Sequence, residues 1–261
     1  MAFTDSHAHL DDARFDADLP AALERARAAG VERILTIAGG TNAEELARAV
    51  RLAETHPNLW AAVGLHPHEA RHASDDLLAA LEDLARSPRV LAWGEIGLDY
   101  HYDHSPRETQ REAFRRQLQS ARALRLPIII HCREAWDDCL ALLAEEWAQA
   151  GLRGILHCFT GDAAVARRAL DWGFLISFAG NVTFPRAENL RAAAGEIPLD
   201  SLLIETDCPY LAPQPLRGKR NEPAFVVETA SVLGRLHGMS GEEMGARTTE
   251  NFLRLFPQVA A

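Results

Sequence analysis

Six side chains of metal-ligand type stand out along the sequence: His7, His9, Glu95, His131, His157 and Asp207. Each lies at or near the C-terminal end of an apolar, strand-like run. His7 and His9 follow Ala2-Phe-Thr-Asp, Glu95 follows Val90-Leu-Ala-Trp-Gly, and His131 follows Ile128-Ile-Ile. His157 follows Gly154-Ile-Leu, and Asp207 follows Leu202-Leu-Ile-Glu-Thr. Alternate residues of a strand point the same way, so His7 and His9 face together. Asp5 shares that face and is placed to accept a histidine N–H. The simplest assembly sets His7, His9, Glu95 and Asp207 on one cation, and Glu95, His131 and His157 on a second. Two such cations activate a water and neutralise charge in a phosphoryl displacement. Glu95, as the bridge, and Asp207, as a ligand that also orients the water or takes its proton, are the expected catalytic residues.

Taken singly, each residue has an ordinary reading. His131 or His157 after an apolar run fits a hydrogen-bonded core histidine, H-x-H arises by chance among 11 histidines, and Glu95 or Asp207 fits a cap or an ion pair. Jointly these readings fail, because buried carboxylates and imidazoles converging without a cation are costly. Other candidates are less constrained. His66 and His68, in Gly64-Leu-His-Pro-His68, could contact a substrate phosphate or belong to a surface loop. Asp99 could orient a ligand or cap. Arg133 shares the strand direction of His131 and suits a phosphate clamp, or is a plain loop arginine. The Arg217-Gly-Lys-Arg220 cluster reads equally as a solvated loop or a backbone-phosphate contact. Cys132, Cys158 and Cys208 each follow a ligand candidate directly, so strand alternation turns their thiols away into packing.

These residues must be positioned by alternating elements. Apolar runs at 2–9, 31–38, 59–65, 90–97, 126–132, 153–159, 173–178 and 201–207 are separated by amphipathic stretches. Thr41 with Glu44, and Ser105 with Glu108 behind Pro106, fit capping boxes. Gly30 and Pro57 sit where helices should stop. Phe114, Leu118, Ala121 and Leu124 recur at helical spacing within 105–125. Eight strand–helix units match a (β/α)8 TIM barrel with the metal site at the C-terminal ends of the strands. An open doubly wound sheet is the rival, but it gathers its site at one switch point. No repeat or linker divides the chain, so 1–261 reads as one domain. The irregular segment 208–224 is long enough to be functional, and 222–237 and 240–256 read as two closing helices.

Composition bounds the rest. The chain has 261 residues, is 48% hydrophobic and carries a net charge of −10, enough for a large core and against a broadly basic nucleic-acid surface. The four cysteines form no C-x-x-C pair, which suits reduced thiols. Residues 1–30 hold no basic-then-apolar leader and no run reaches membrane-spanning length, so the expectation is a soluble cytoplasmic protein with no membrane partner.

The motifs Asp5-Ser-His-Ala-His-Leu10, Gly64-Leu-His-Pro-His68, Gly94-Glu-Ile-Gly-Leu-Asp-Tyr100 and Ile130-His-Cys-Arg-Glu134 resemble the TatD family of metal-dependent deoxyribonucleases. So do His157-Cys-Phe-Thr-Gly161, Ile204-Glu-Thr-Asp-Cys-Pro-Tyr210 and Arg220-Asn-Glu-Pro223, and the match runs in order along almost the whole chain. The resemblance implies a TIM-barrel hydrolase of the amidohydrolase-like superfamily with one or two divalent ions. It carries metal ligands onto His7, His9, Glu95, His131, His157 and Asp207. Many binuclear members of that superfamily bridge their metals with a carboxylated lysine from the fourth strand. The single lysine here, Lys219, follows the eighth strand-like run, and Glu95 stands in the expected place.

The function expected is hydrolysis of DNA phosphodiester bonds by metal-activated water, in the 3′-to-5′ exonuclease sense on single-stranded or 3′ ends. RNA is a second substrate, His66 and Arg133 hold the phosphate, and no obligate protein partner is expected. Imidazole ligands favour zinc, manganese or cobalt, whereas the resemblance suggests activity with magnesium. The same ligands also fit an amide or ester hydrolase, such as an aminoacyl-tRNA deacylase. A scaffold protein with an inert structural metal is the non-enzymatic alternative.

Overall fold

Eight strands pair edge to edge in chain order, every neighbouring pair parallel. They are β1 (Phe3–Ala8), β2 (Val31–Ile37), β3 (Leu59–Val63), β4 (Val90–Asp99), β5 (Ile128–Arg133), β6 (Gly154–Leu156), β7 (Phe174–Phe178) and β8 (Leu202–Ile204). The structure is a computed structural model that describes residues 2–259; Met1, Ala260 and Ala261, at the ends of the expected 1–261 span, lie outside the described residues.

The sheet closes on itself where β8 meets β1. Ala8 bridges Cys208, the His9 N–H donates to the Cys208 carbonyl at 2.7 Å, and the Asp207 N–H donates to the His7 carbonyl at 2.9 Å. Sequential order plus closure is the (β/α)8 barrel and excludes the open doubly wound sheet. Closure also falls on the residues singled out for chemistry, so the seam and the site are built together.

Nine helices among the described residues surround the strands: α1 (Leu19–Ala28), α2 (Ala43–Thr55), α3 (Asp75–Leu84), α4 (Arg107–Leu124), α5 (Trp136–Glu146), α6 (Ala163–Asp171), α7 (Glu188–Glu196), α8 (Val226–Leu236) and α9 (Gly241–Leu255). In α4 the buried stripe is Phe114, Leu118 and Ala121, as the spacing predicts. Gly30 and Pro57 do follow the ends of α1 and α2.

Both expected capping boxes fail. Asn42 caps α2 by accepting from the Glu44 and Glu45 N–H groups, while the Thr41 N–H donates to Glu45. Ser105 caps nothing: its hydroxyl donates to the His68 carbonyl at 2.8 Å and accepts from the Arg71 N–H. A serine offered two tertiary partners is not left to cap a helix. The capping box that forms is Ser240 with Glu243, opening α9.

The barrel interior is apolar at its lower end. Ile37, Leu91, Ile129, Leu175 and Leu203 pack with Phe252 of α9 and Phe256 just after it, so that this end of α9 plugs the barrel. Asn251 fastens that plug by donating to the Leu199 and Leu202 carbonyls, both at 2.8 Å. Burying each phenylalanine contributes about 1.5–3 kcal/mol, and the histidines and carboxylates singled out for chemistry gather at the opposite mouth.

Strand β4 is irregular, with its pairing to β5 shifted between Trp93 and Ile96. Gly97 has φ +142°, and a Cβ there would lie 1.9 Å from the His131 carbonyl oxygen. Only glycine permits this approach, which aligns Glu95 and His131 across neighbouring strands. No helix among the described residues is long and apolar enough to cross a membrane.

Candidate metal centre

The C-terminal halves of β1, β4 and β5 and the residues just after β1, β6 and β8 bring all six sequence candidates to one spot. Glu95 is its centre. Its Oε1 lies 2.8 Å from both His131 Nδ1 and His157 Nε2, and its Oε2 lies 3.3 Å from His7 Nε2 and 3.8 Å from His9 Nε2. One carboxylate therefore faces two separate imidazole pairs. Asp207 Oδ1 joins the first pair, 3.8 Å from His7 Nε2 and 3.4 Å from His9 Nε2. The two Nε2 atoms are 3.3 Å apart.

Carboxylates brace two of these rings from behind. His157 Nδ1 donates to Glu205 Oε1 at 3.0 Å, and His131 Nε2 donates to Asp99 Oδ2 at 3.0 Å. Each ring is thereby left presenting its other nitrogen toward Glu95, the arrangement by which acidic partners orient metal-binding imidazoles. Glu205 escaped the sequence reading. Its signal was present, since Ile204-Glu-Thr-Asp207 puts it two residues before Asp207. Asp99 both orients and caps: Oδ2 also pairs with His68 Nε2 at 3.0 Å, while Oδ1 accepts the N–H groups of His101 and Tyr102.

Asp5 departs from its expected role. It accepts the backbone N–H of His7, not a ring, and its main partner is Thr206, through the backbone N–H at 2.9 Å and the hydroxyl at 2.6 Å. Burial pushes its carboxyl up to about 8. His7 Nδ1 is consequently buried without a partner.

Charge in the cluster follows from burial set against proximity. Burial opposes ionisation of Glu95, but the surrounding imidazoles, His157 foremost, hold its carboxyl well below the usual range. Burial likewise opposes protonation of His9, yet Asp207 and Glu95 raise it to about 9. His157 is raised and His7 lowered, burial working against the charged form in both, with Glu95 and Glu205 prevailing at His157. Ionised carboxylates wedged among imidazoles mark a place for external positive charge, and the mixed N,O donor set suits zinc or manganese. Compact metal-capable groups are His7–His9–Glu95 and His66–Glu95–His131, with His7–His157–Glu205 a third.

His66 sits 3.6 Å from Glu95 Oε1 through Nε2. Its Nδ1 accepts the His68 N–H at 3.1 Å, so the neutral ring carries its proton on Nε2. Burial lowers its pKa well below the ordinary value and keeps it neutral. It is thus a hydrogen-bond donor aimed at the site. Arg133 stacks over Tyr102 at 4.8 Å. Arg220 is held elsewhere, bonded to Asp18 and the Arg14 carbonyl, so that part of the basic cluster is structural. Cys132 and Cys208 are buried as expected, whereas Cys158, with φ +42°, is partly exposed.

Residues 4–257 match the family described as TatD related DNase. The chain belongs to the TatD family. It is 46% identical over 252 residues to the uncharacterized metal-dependent hydrolase YabD of Bacillus subtilis, covering 97% of this chain and 98% of the relative. It is 38% identical over 254 residues to the 3′-5′ ssDNA/RNA exonuclease TatD of Erwinia tasmaniensis, covering 95% and 97%. The crystal structure of the Escherichia coli TatD homologue YJJV superposes with a TM-score of 0.89 at 34% identity, covering 97% of each chain. As a TatD family member the protein is a metal-dependent hydrolase on a TIM barrel.

Proposed function

We propose that this TatD family hydrolase cleaves phosphodiester bonds in single-stranded DNA, trimming from the 3′ end and accepting RNA as well. The observation that carries the reading is Glu95, whose two oxygens face two imidazole pairs. Relatives named as 3′-5′ ssDNA/RNA exonucleases support the substrate class. His7, His9, Glu95 and Asp207 would hold one divalent cation and Glu95, His131 and His157 a second. Bound there, the pair would supply activation of water and neutralisation of phosphate charge.

The chain's own groups do the rest. Asp207 Oδ1 faces His7 and His9, which leaves Oδ2 to take the proton of the attacking water. His66 Nε2–H donates to a non-bridging phosphate oxygen, where charge grows as the bond forms. Arg133 supplies a fixed cation for the same phosphate. Glu205 and Asp99 keep the His157 and His131 rings from turning. The net charge of −10 suits a mouth gripping a few nucleotides at a cation centre better than a protein tracking long duplex.

The test is a series of magnesium, manganese and zinc on single-stranded, duplex and RNA oligonucleotides, with products resolved by length and an acyl-ester panel alongside. Stepwise shortening from the 3′ end is expected. A clear preference for acyl esters overturns the reading in favour of amide or ester hydrolysis.

A further inference from the structure

Two of the three exposed large hydrophobic side chains among the described residues flank the candidate metal centre: Tyr102 is 51% and Tyr210 is 48% exposed. Exposed tyrosines scattered singly need no explanation; these two are not scattered. Tyr102 lies in the loop after β4 and Tyr210 in the loop after β8, four strands apart in an eight-stranded ring, hence on opposite sides of the barrel mouth. Tyr210 touches a ring of the cluster directly, and Tyr102 reaches it through one intervening ring, His68. The Tyr102 ring meets His68 at 5.5 Å edge-on, and His68 shares Asp99 with His131 on the Glu95 Oε1 side. The Tyr210 ring meets His9 at 5.9 Å edge-on, on the Glu95 Oε2 side.

Each ring is also braced by an arginine, Arg133 over Tyr102 at 4.8 Å and Arg14 over Tyr210 at 4.4 Å, and the Tyr102 ring lies parallel to His104 at 5.5 Å, an aromatic neighbour that extends the platform. Packing thus holds both phenols in place, yet about half of each stays open to solvent. Tyr210 is anchored further through its backbone, since its carbonyl accepts from the buried Asn221 amide and its N–H donates to the Asp207 carbonyl. A rigid aromatic beside an arginine is what a nucleobase stacks on without regard to its identity.

We propose that Tyr102 and Tyr210 stack the two bases on either side of the scissile phosphate, one base at each edge of the mouth. The site then selects a step that carries two bases, of any type, over a simple phosphodiester. This rests on the nucleic-acid reading above and adds the groups that recognise the sugar–base portion.

The experiment compares wild type with Tyr102→Ala, Tyr210→Ala and the matching phenylalanine variants. Substrates are a short thymidine oligonucleotide, the same oligonucleotide with an abasic residue at either of the two positions flanking the cleaved bond, and one that is abasic at both. Each alanine variant should raise KM on the intact oligonucleotide about ten- to a hundredfold. Its effect should vanish when the base it serves is already missing, and each phenylalanine variant should stay near wild type. Cleavage of the doubly abasic oligonucleotide, which offers no ring at either edge of the mouth, should be equally slow in the wild type and every variant. Equal losses on intact and abasic substrates overturn the stacking role while leaving phosphodiester hydrolysis standing. No cleavage of any oligonucleotide by the wild type overturns both.

Discussion

Glu205 Oε1 accepts the Nδ1–H of His157 at 3.0 Å while the Nε2 of the same ring lies 2.8 Å from Glu95. The buried carboxylate sets which nitrogen faces the cluster, and it also accepts the Cys158 N–H at 2.8 Å. Glu205→Gln should therefore weaken metal affinity by about 10- to 100-fold without unfolding the barrel. Isothermal titration with zinc or manganese checks this, and an unchanged affinity would remove Glu205 from the site.

Glu95→Gln keeps the size of the side chain and removes the charge shared by both imidazole pairs. Hydrolysis should fall by at least about a hundredfold. Circular dichroism should still report a folded barrel, because the apolar plug at the far end is untouched. Wild-type turnover in this variant would end the proposed role of Glu95.

Chelation should abolish hydrolysis, and added divalent metal should restore it. It should also lower thermal stability, since a cation at about a hundred times its Kd stabilises the native state by about 2.7 kcal/mol. Differential scanning calorimetry with and without chelator reads this as several degrees. Identical melting curves would argue against a cation in the Glu95 cluster.

Gly97→Ala should destabilise the fold. Its φ of +142° and the 1.9 Å approach of a Cβ to the His131 carbonyl leave no room. Strain alone costs about 1–3 kcal/mol, and the clash must push His131 away from Glu95. A loss of both melting temperature and metal affinity is expected, and neither would move if β4 could relax.

The ion pair that ties the 208–224 loop to the barrel gives a pH dependence. Hydrogen bonds from Arg220 and Arg25 hold the Asp18 carboxyl down to about 2. A depressed carboxyl contributes stability that is complete above its unfolded value, about 3.9, and is lost as pH falls through the folded one. The pair is exposed, so the effect is small. The gap in melting temperature between wild type and Asp18→Asn should be widest above about pH 5 and narrow toward about pH 3. A gap that stayed constant over that range would show that Asp18 acts by something other than charge.

The eight strands and most helices were legible because each writes a local pattern: a run such as Ile128-Ile-Ile can only be buried on both faces, and Phe114, Leu118 and Ala121 share one side of a helix. The ligand candidates were legible because a polar residue directly after such a run has little reason to be there except at the mouth. Caps were misread where a tertiary partner outbid the local one, as the His68 carbonyl does at Ser105.

The sequence by itself determined the alternation of elements and which imidazoles and carboxylates end the strands, since both follow from spacing along the chain. Only the closed barrel decided which oxygen of Glu95 meets which ring, that Asp5 serves Thr206, that Glu205 sets the tautomer of His157, and that Tyr102 stands across the mouth from Tyr210. Those relationships join residues up to about two hundred positions apart. They depend on how eight strands pair and close into a ring, and no local pattern records that closure.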